Sequence, residues 1–164
     1  RASGQRYNEL VSDYIWKPLG CQSPAYITVD RAGAMRAAGG ICATARDLAR
    51  VGLMLANSGN REGVQIISKT WLEEIYNSGD KNAWDNGTFK EFFGNRSMHY
   101  KSQWYVCHDQ GKLLHGLGIH GQYLFIDPKI KLSIAWLSSD ANALDQKATD
   151  QVLKAVEEIR KSLS

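Results

Sequence analysis

Residues 115–128, HGLGIHGQYLFIDP, constrain this chain more than any other stretch. Three glycines and two histidines fall within eight residues. The run then passes into Tyr123-Leu124-Phe125-Ile126 and is stopped by Asp127-Pro128. A short apolar run bounded by turn residues reads as a strand. Glycine at this density at its mouth means that the backbone approaches another group closely or takes φ > 0. Loops of that kind, carried on rigid strands, are where catalytic and binding groups concentrate.

The neighbouring segments supply the rest of a sheet and its cover. Tyr100–Cys107, Gly121–Asp127 and Ile130–Ser138 read as three strands, and the short links between them predict antiparallel pairing. Apolar residues at helical spacing predict a helix over 4–17, ended by Pro18-Leu19-Gly20, and a closing helix over Asn142–Leu163. Thr44 and Ser68 are placed to cap two further helices, over Ala45–Asn57 and Lys69–Asn77, the second burying Trp71, Leu72 and Ile75. Tyr26–Val29 reads as a short strand, and Ser78–Met98 as a long irregular connection. The expected fold class is α+β, an antiparallel sheet flanked by helices, with residues 1–164 forming one unit.

Composition narrows the partners. Net charge is +3, and the Lys and Arg are scattered rather than massed, so no nucleic-acid partner is expected. Cys21, Cys42 and Cys107 are too widely spaced for a zinc ribbon or a disulfide framework and are expected to be buried thiols. Cys107, His108, His115 and His120 are ligand types in no metal-binding spacing, so neither a metal nor another cofactor is expected. No apolar run approaches the length of a membrane span.

The segment Gly39-Gly40-Ile41-Cys42-Ala43-Thr44-Ala45-Arg46-Asp47-Leu48-Ala49-Arg50-Val51-Gly52 resembles the GG-x-x-[AS]-T-x-x-D-[LM]-x-[KR]-[FV]-G signature of serine hydrolases of the class C β-lactamase and penicillin-binding protein type. Residues 3–20 resemble the helix that follows the tyrosine motif of that group. Gly118–Pro128 and Ser138-Ser139-Asp140 are similar to its third motif strand, in the form found in 6-aminohexanoate-dimer hydrolases. The resemblance implies a β-lactamase/DD-peptidase-like fold and cleavage of an amide or ester in a small-molecule substrate through an acyl-enzyme. It also slightly favours a periplasmic or secreted location. The S-x-x-K nucleophile and the tyrosine base of that group lie upstream of its equivalent of residue 1. The chain is therefore expected to be the C-terminal half of such a hydrolase, with the missing N-terminal half of the domain as its partner and no activity by itself. Ser78 and Lys81 fit S-x-x-K by spacing alone, after a helix and not at the start of one, and are read as coincidence.

Acyl transfer needs donors aimed at the developing oxyanion. By the resemblance, Gly116-Leu117-Gly118 stands where related enzymes have K-T-G. The backbone N–H of Ile119 then becomes an oxyanion donor, and the bare Gly118 lets the carbonyl approach. An alternative register puts His120-Gly121-Gln122 in that place. His120 is either a residue that orients substrate or a histidine satisfied by backbone hydrogen bonds. Gly40, Ile41, Cys42, Trp104, Tyr105 and Gln122 are the candidate substrate-binding residues, and core packing is an equal reading for the two aromatics. A non-catalytic protein of the same fold that binds peptide or cell-wall material, or an inactive product, are the competing functions.

Overall fold

The structure is a computed structural model that describes residues 3–109 and 111–164. Helix α1 (Tyr7–Val11) passes into a π-helical turn, Ser12–Trp16, and the chain then drops the fully buried Leu19 into the core. The expected helix over 4–17 starts later because Gly4 sits at φ +68° and Arg6 is extended, its N–H donating to the Glu9 carboxylate at 3.0 Å. Strand β1 (Tyr26–Ile27) pairs antiparallel with β2 (Ile41–Cys42), and together they carry an exposed arm.

Helix α2 (Ala45–Ala56) begins at Thr44, whose hydroxyl accepts from the Asp47 N–H at 3.2 Å. Asp47 is the buried hub of this corner. Its carboxylate accepts from the N–H groups of Gln22 (2.9 Å) and Ser23 (3.0 Å), from the Thr44 hydroxyl (3.0 Å) and from Arg50 (2.6 Å). The Gln22 N–H leads in holding its pKa down at about 2, against the burial that would raise it, with Thr44, Ser23 and Arg50 adding to the effect. A carboxyl whose folded pKa lies below the unfolded value near 3.8 contributes stability that is complete above that value and is lost as pH falls through 2. Replacing Asp47 by Asn is therefore expected to lower the melting temperature at neutral pH. The gap between variant and parent should close between about pH 4 and pH 2. Thermal melts across that range check it, and a gap that stays constant would refute the ionic role.

A small hairpin, β3 (Asn60–Arg61) with β4 (Val64–Gln65), leads to α3 (Lys69–Asn77), capped by Ser68. Leu72 and Ile75 of α3 are buried, but Trp71 is 39% exposed, because the helix turns only one face to the sheet. The segment read as irregular contains two short helices, α4 (Lys81–Asp85) and α5 (Phe89–Phe92), whose aromatics pack beneath the sheet.

Five antiparallel strands then run in chain order: β5 (Met98–Lys101), β6 (Trp104–Cys107), β7 (Leu113–Gly118), β8 (Gln122–Asp127) and β9 (Leu132–Trp136). The run read as one strand, Tyr100–Cys107, is a hairpin that folds back at Ser102-Gln103. Alternation sets the two faces. Val106, Leu114, Leu124 and Ile126 pack with Met54, Leu55, Leu72 and Ile75 of α2 and α3. Cys107, Leu113, Tyr123 and Phe125 pack with Trp84, Phe93 and the closing helix α6 (Gln146–Ser162), through Val152, Leu153 and Val156. Each such fully buried side chain contributes roughly 1.5–3 kcal/mol of transfer free energy. Helix α6 starts at Gln146 because the Asp145 carboxylate caps it through the Ala148 N–H at 3.0 Å. The expected buried thiols are only partly so: Cys107 is buried, Cys21 half-buried and Cys42 exposed, and all three are free. Among the described residues, no helix is long and apolar enough to cross a membrane.

Candidate functional site

A meander sends alternate turns to opposite ends of the sheet. The β5–β6 turn (Ser102, Gln103) and the β7–β8 turn (Ile119, His120, Gly121) therefore share one end, together with the segment that leaves β9. Strained backbone gathers here: Ser102 (φ +49°), Gln103 (φ +66°) and His120 (φ +60°) are non-glycine residues in the left-handed region. Such residues persist where the surroundings over-determine them, and they cluster at ligand sites.

Between these turns, on the α2 face, lies a groove of about 440 Å³. Gly116 and Gly118, two residues apart on β7, leave that strand bare on this face, and the Trp104 indole flanks it. Gln122 and Leu124 of β8, Leu48 of α2 and Gly39 complete the lining, with Ser102 and Gln103 at the rim. Gln122 and Leu48 also border a neighbouring apolar cavity of about 540 Å³, which Ile41 and Cys42 line with the N-terminal helix.

Ile119 lies at the tip of this hairpin with its side chain 60% exposed. The His120 N–H donates to the Ala143 carbonyl at 2.9 Å, whereas among the described residues the Ile119 N–H has no acceptor. Gly118 pairs with Gln122 across the hairpin, and a Cβ on Gly118 would lie 2.9 Å from the Gln122 Cβ. The glycine is thus required by the turn as well as open to the groove.

The candidates therefore separate. Gly118, Trp104 and Gln122 meet in one groove, whereas Ile119 and His120 follow Gly118 in the β7–β8 turn and are not part of its lining. Ile41 and Cys42 border the adjoining cavity through Gln122. Tyr105 does not join them: strand alternation turns it to the opposite face, where it stacks on His115 (centroids 5.0–5.4 Å from Phe93 and His115). His115 is wholly buried in that aromatic cluster, and burial depresses its pKa to about 3, so it is neutral. Gly40 is buried because a side chain there would strike the Arg36 carbonyl; it shapes the arm, and Gly39 is the one that reaches the groove. Gly39, Leu48 and Gly116 fell inside quoted motifs, but Ser102 and Gln103 carried no signal, since a tight turn of left-handed residues is normally announced by Asn-Gly or Asp-Gly.

Ser78 and Lys81 lie at the other end of the sheet. The Ser78 hydroxyl donates to the Glu74 carbonyl at 2.6 Å as α3 ends, Gly79 packs against the His99 ring, and Asn77 meets Lys112 of the β6–β7 turn. Incubating the chain with a fluorescent penicillin or a fluorophosphonate is expected to leave Ser78 unmodified. A labelled Ser78 peptide in a tryptic digest would overturn that.

The Beta-lactamase family model matches residues 1–157. The chain is 39% identical over 139 residues to the 6-aminohexanoate-dimer hydrolase of Paenarthrobacter ureafaciens, covering 85% of this chain and 35% of that protein. A solved structure from Bacillus anthracis, a candidate 6-aminohexanoate-dimer hydrolase, superposes with a TM-score of 0.77 at 30% identity, over 98% of this chain and 40% of its own. A penicillin-binding protein homologue from Caulobacter crescentus shares the fold at a TM-score of 0.60 and 16% identity, over 89% of this chain and 51% of its own. These matches correct two expectations. The resemblance is not that of a C-terminal half alone, since it runs along nearly the whole chain. A match along nearly all of this chain gives no support to the expected partner, a missing N-terminal half. The chain spans well under half the length of the two hydrolase relatives. With its α+β architecture and a match from residue 1 to residue 157, the chain belongs to the β-lactamase family.

Proposed function

We propose that this chain forms the oxyanion side of a hydrolase that cleaves an amide or ester bond through an acyl-enzyme. Family membership and the kinship to a 6-aminohexanoate-dimer hydrolase support a hydrolytic role. The observation that carries the reading is the unused N–H of Ile119 next to Gly118, which lines the groove. A donor fixed by a hairpin stabilises developing charge without reorganising during the reaction. The same geometry supports the register with Gly118 before the donor: in the alternative the donor would follow Gln122, at Tyr123, which is buried inside the sheet between Leu117 of β7 and Trp136 of β9. Gly118 admits the carbonyl, Trp104 and Gln122 contact the substrate along the groove, and His120 stands beside the donor.

A second reading is a non-catalytic member of the family that binds peptide or cell-wall material. Hydrolysis of a linear amide by an enzyme carrying this chain separates the two, with Ile119→Ala and Ile119→Pro as controls. Alanine keeps the donor and should cost little, because the side chain is exposed. Proline removes the N–H and should cost most of the turnover. Equal rates in the two variants would sink the oxyanion assignment.

A further inference from the structure

We infer that His120 determines specificity, its Nε2 accepting a hydrogen bond from an ammonium or N–H group of the substrate; this rests on the reading of Ile119 as the oxyanion donor. The His120 Nδ1 lies 2.8 Å from the backbone carbonyl oxygen of Asp140. A carbonyl only accepts, so Nδ1 carries the proton, and in the neutral ring Nε2 keeps its lone pair. Among the described residues Nε2 has no partner, and the residue is exposed. The other ring placed beside a polar network is differently used: His99 engages His108 through Nδ1 (2.9 Å) and the Ile75 carbonyl through Nε2 (2.7 Å).

The ring is held in place. His120 has φ +60°, its N–H donates to Ala143 at 2.9 Å, and its carbonyl accepts from the Asp140 N–H at 3.2 Å. The Gln122 amide donates to that same carbonyl at 3.3 Å and also to the Ser138 carbonyl. Gly121 follows at φ +77°, and the Asp140 carboxylate, itself bonded to the Ser138 hydroxyl, occupies the space that a side chain there would need. Residues 138–143 thus clamp the β7–β8 turn from outside. The clamp fixes a tautomer and a direction while leaving one backbone donor and one ring acceptor free in successive residues. That pair suits a substrate with a carbonyl and, near it, a donor. A carboxylate in the second position would meet a lone pair.

Two probes, 5-aminopentanamide and pentanamide, differ in the terminal ammonium. Each is titrated into the ¹⁵N-labelled 164-residue chain, following the Ile119 amide and the His120 ring nitrogens by NMR. His120→Gly is the variant, since glycine takes the same φ without strain and removes only the ring. The expected result is that both probes shift Ile119, with the ammonium probe about fivefold to tenfold tighter in the parent, as for a charge-assisted hydrogen bond at a wet surface. The preference should vanish in His120→Gly while Ile119 still responds. Equal affinities in the parent, or a preference that survives in the variant, overturn the role of His120 and leave the Ile119 donor standing. No shift at Ile119 with either probe overturns both.

Discussion

Replacing Asp127 by Ala should destabilise the chain by about 3 kcal/mol or more, the largest stability loss expected of any single polar substitution here. Asp127 is 3% exposed at the end of β8 and accepts from Arg160 Nε of α6 at 2.7 Å. Its other oxygen takes the Lys129 N–H at 2.9 Å and the Ile130 N–H at 3.4 Å, so the same carboxylate shapes the β8–β9 turn. Truncation removes the carboxylate from beside a guanidinium that is itself 8% exposed, and leaves two backbone donors without their acceptor. Desolvation dominates that loss. The double variant Asp127→Leu, Arg160→Met should therefore recover much of it, because an apolar pair of similar volume avoids burying charge. Urea denaturation followed by circular dichroism checks both. A single-variant loss below about 1 kcal/mol would mean that the pair is more hydrated than its burial implies.

Asp127 also shows where sequence reading succeeds. Asp-Pro after an apolar run marks the end of a strand by chemistry local to the chain, and β8 ends at Asp127. The same holds for α2 and α3, whose capping hydroxyls at Thr44 and Ser68 act within one turn. Strand β7 was not legible as a strand, because LLHGLG has too few β-formers and too much glycine. Its place between β6 and β8 is set by pairing on both sides and by the burial of Leu113, Leu114 and His115, which are tertiary facts. The turn at Ser102-Gln103 was hidden for a related reason. Nothing in those two side chains favours φ > 0; the register of Lys101 with Trp104 imposes it.

The site was legible in part. Gly118, Ile119, His120 and Gln122 stand out because glycine and histidine beside a strand are locally unusual, and the structure gathers them at one turn. Tyr105 beside Trp104 was a misleading pair. Adjacent strand residues face opposite ways, so one aromatic reaches the groove and its neighbour joins the core. Gly40 beside Gly39 misled similarly: two adjacent glycines serve different needs, one close backbone packing and one the groove.

Removing the Ile119 N–H alone should cut the turnover of an enzyme carrying this chain by roughly 10²–10³, with little change in KM. Gly118→Val is a poor probe of this, because its Cβ would press on Gln122 and disturb the hairpin whether or not substrate binds there. Ile119→Pro removes the donor but also restrains the turn. Substituting the corresponding α-hydroxy acid at position 119 turns that amide into an ester and keeps the side chain. The N–H has no acceptor among the described residues, so its loss breaks no internal hydrogen bond and folding should be unaffected. The loss should therefore fall on kcat, where a donor that strengthens toward the transition state acts, and hardly on KM. Circular dichroism confirms the fold, and kcat and KM for a linear amide give the split. Unchanged kcat in a folded ester variant would move the oxyanion donor away from this turn, whereas a rise in KM alone would make Ile119 a ground-state contact.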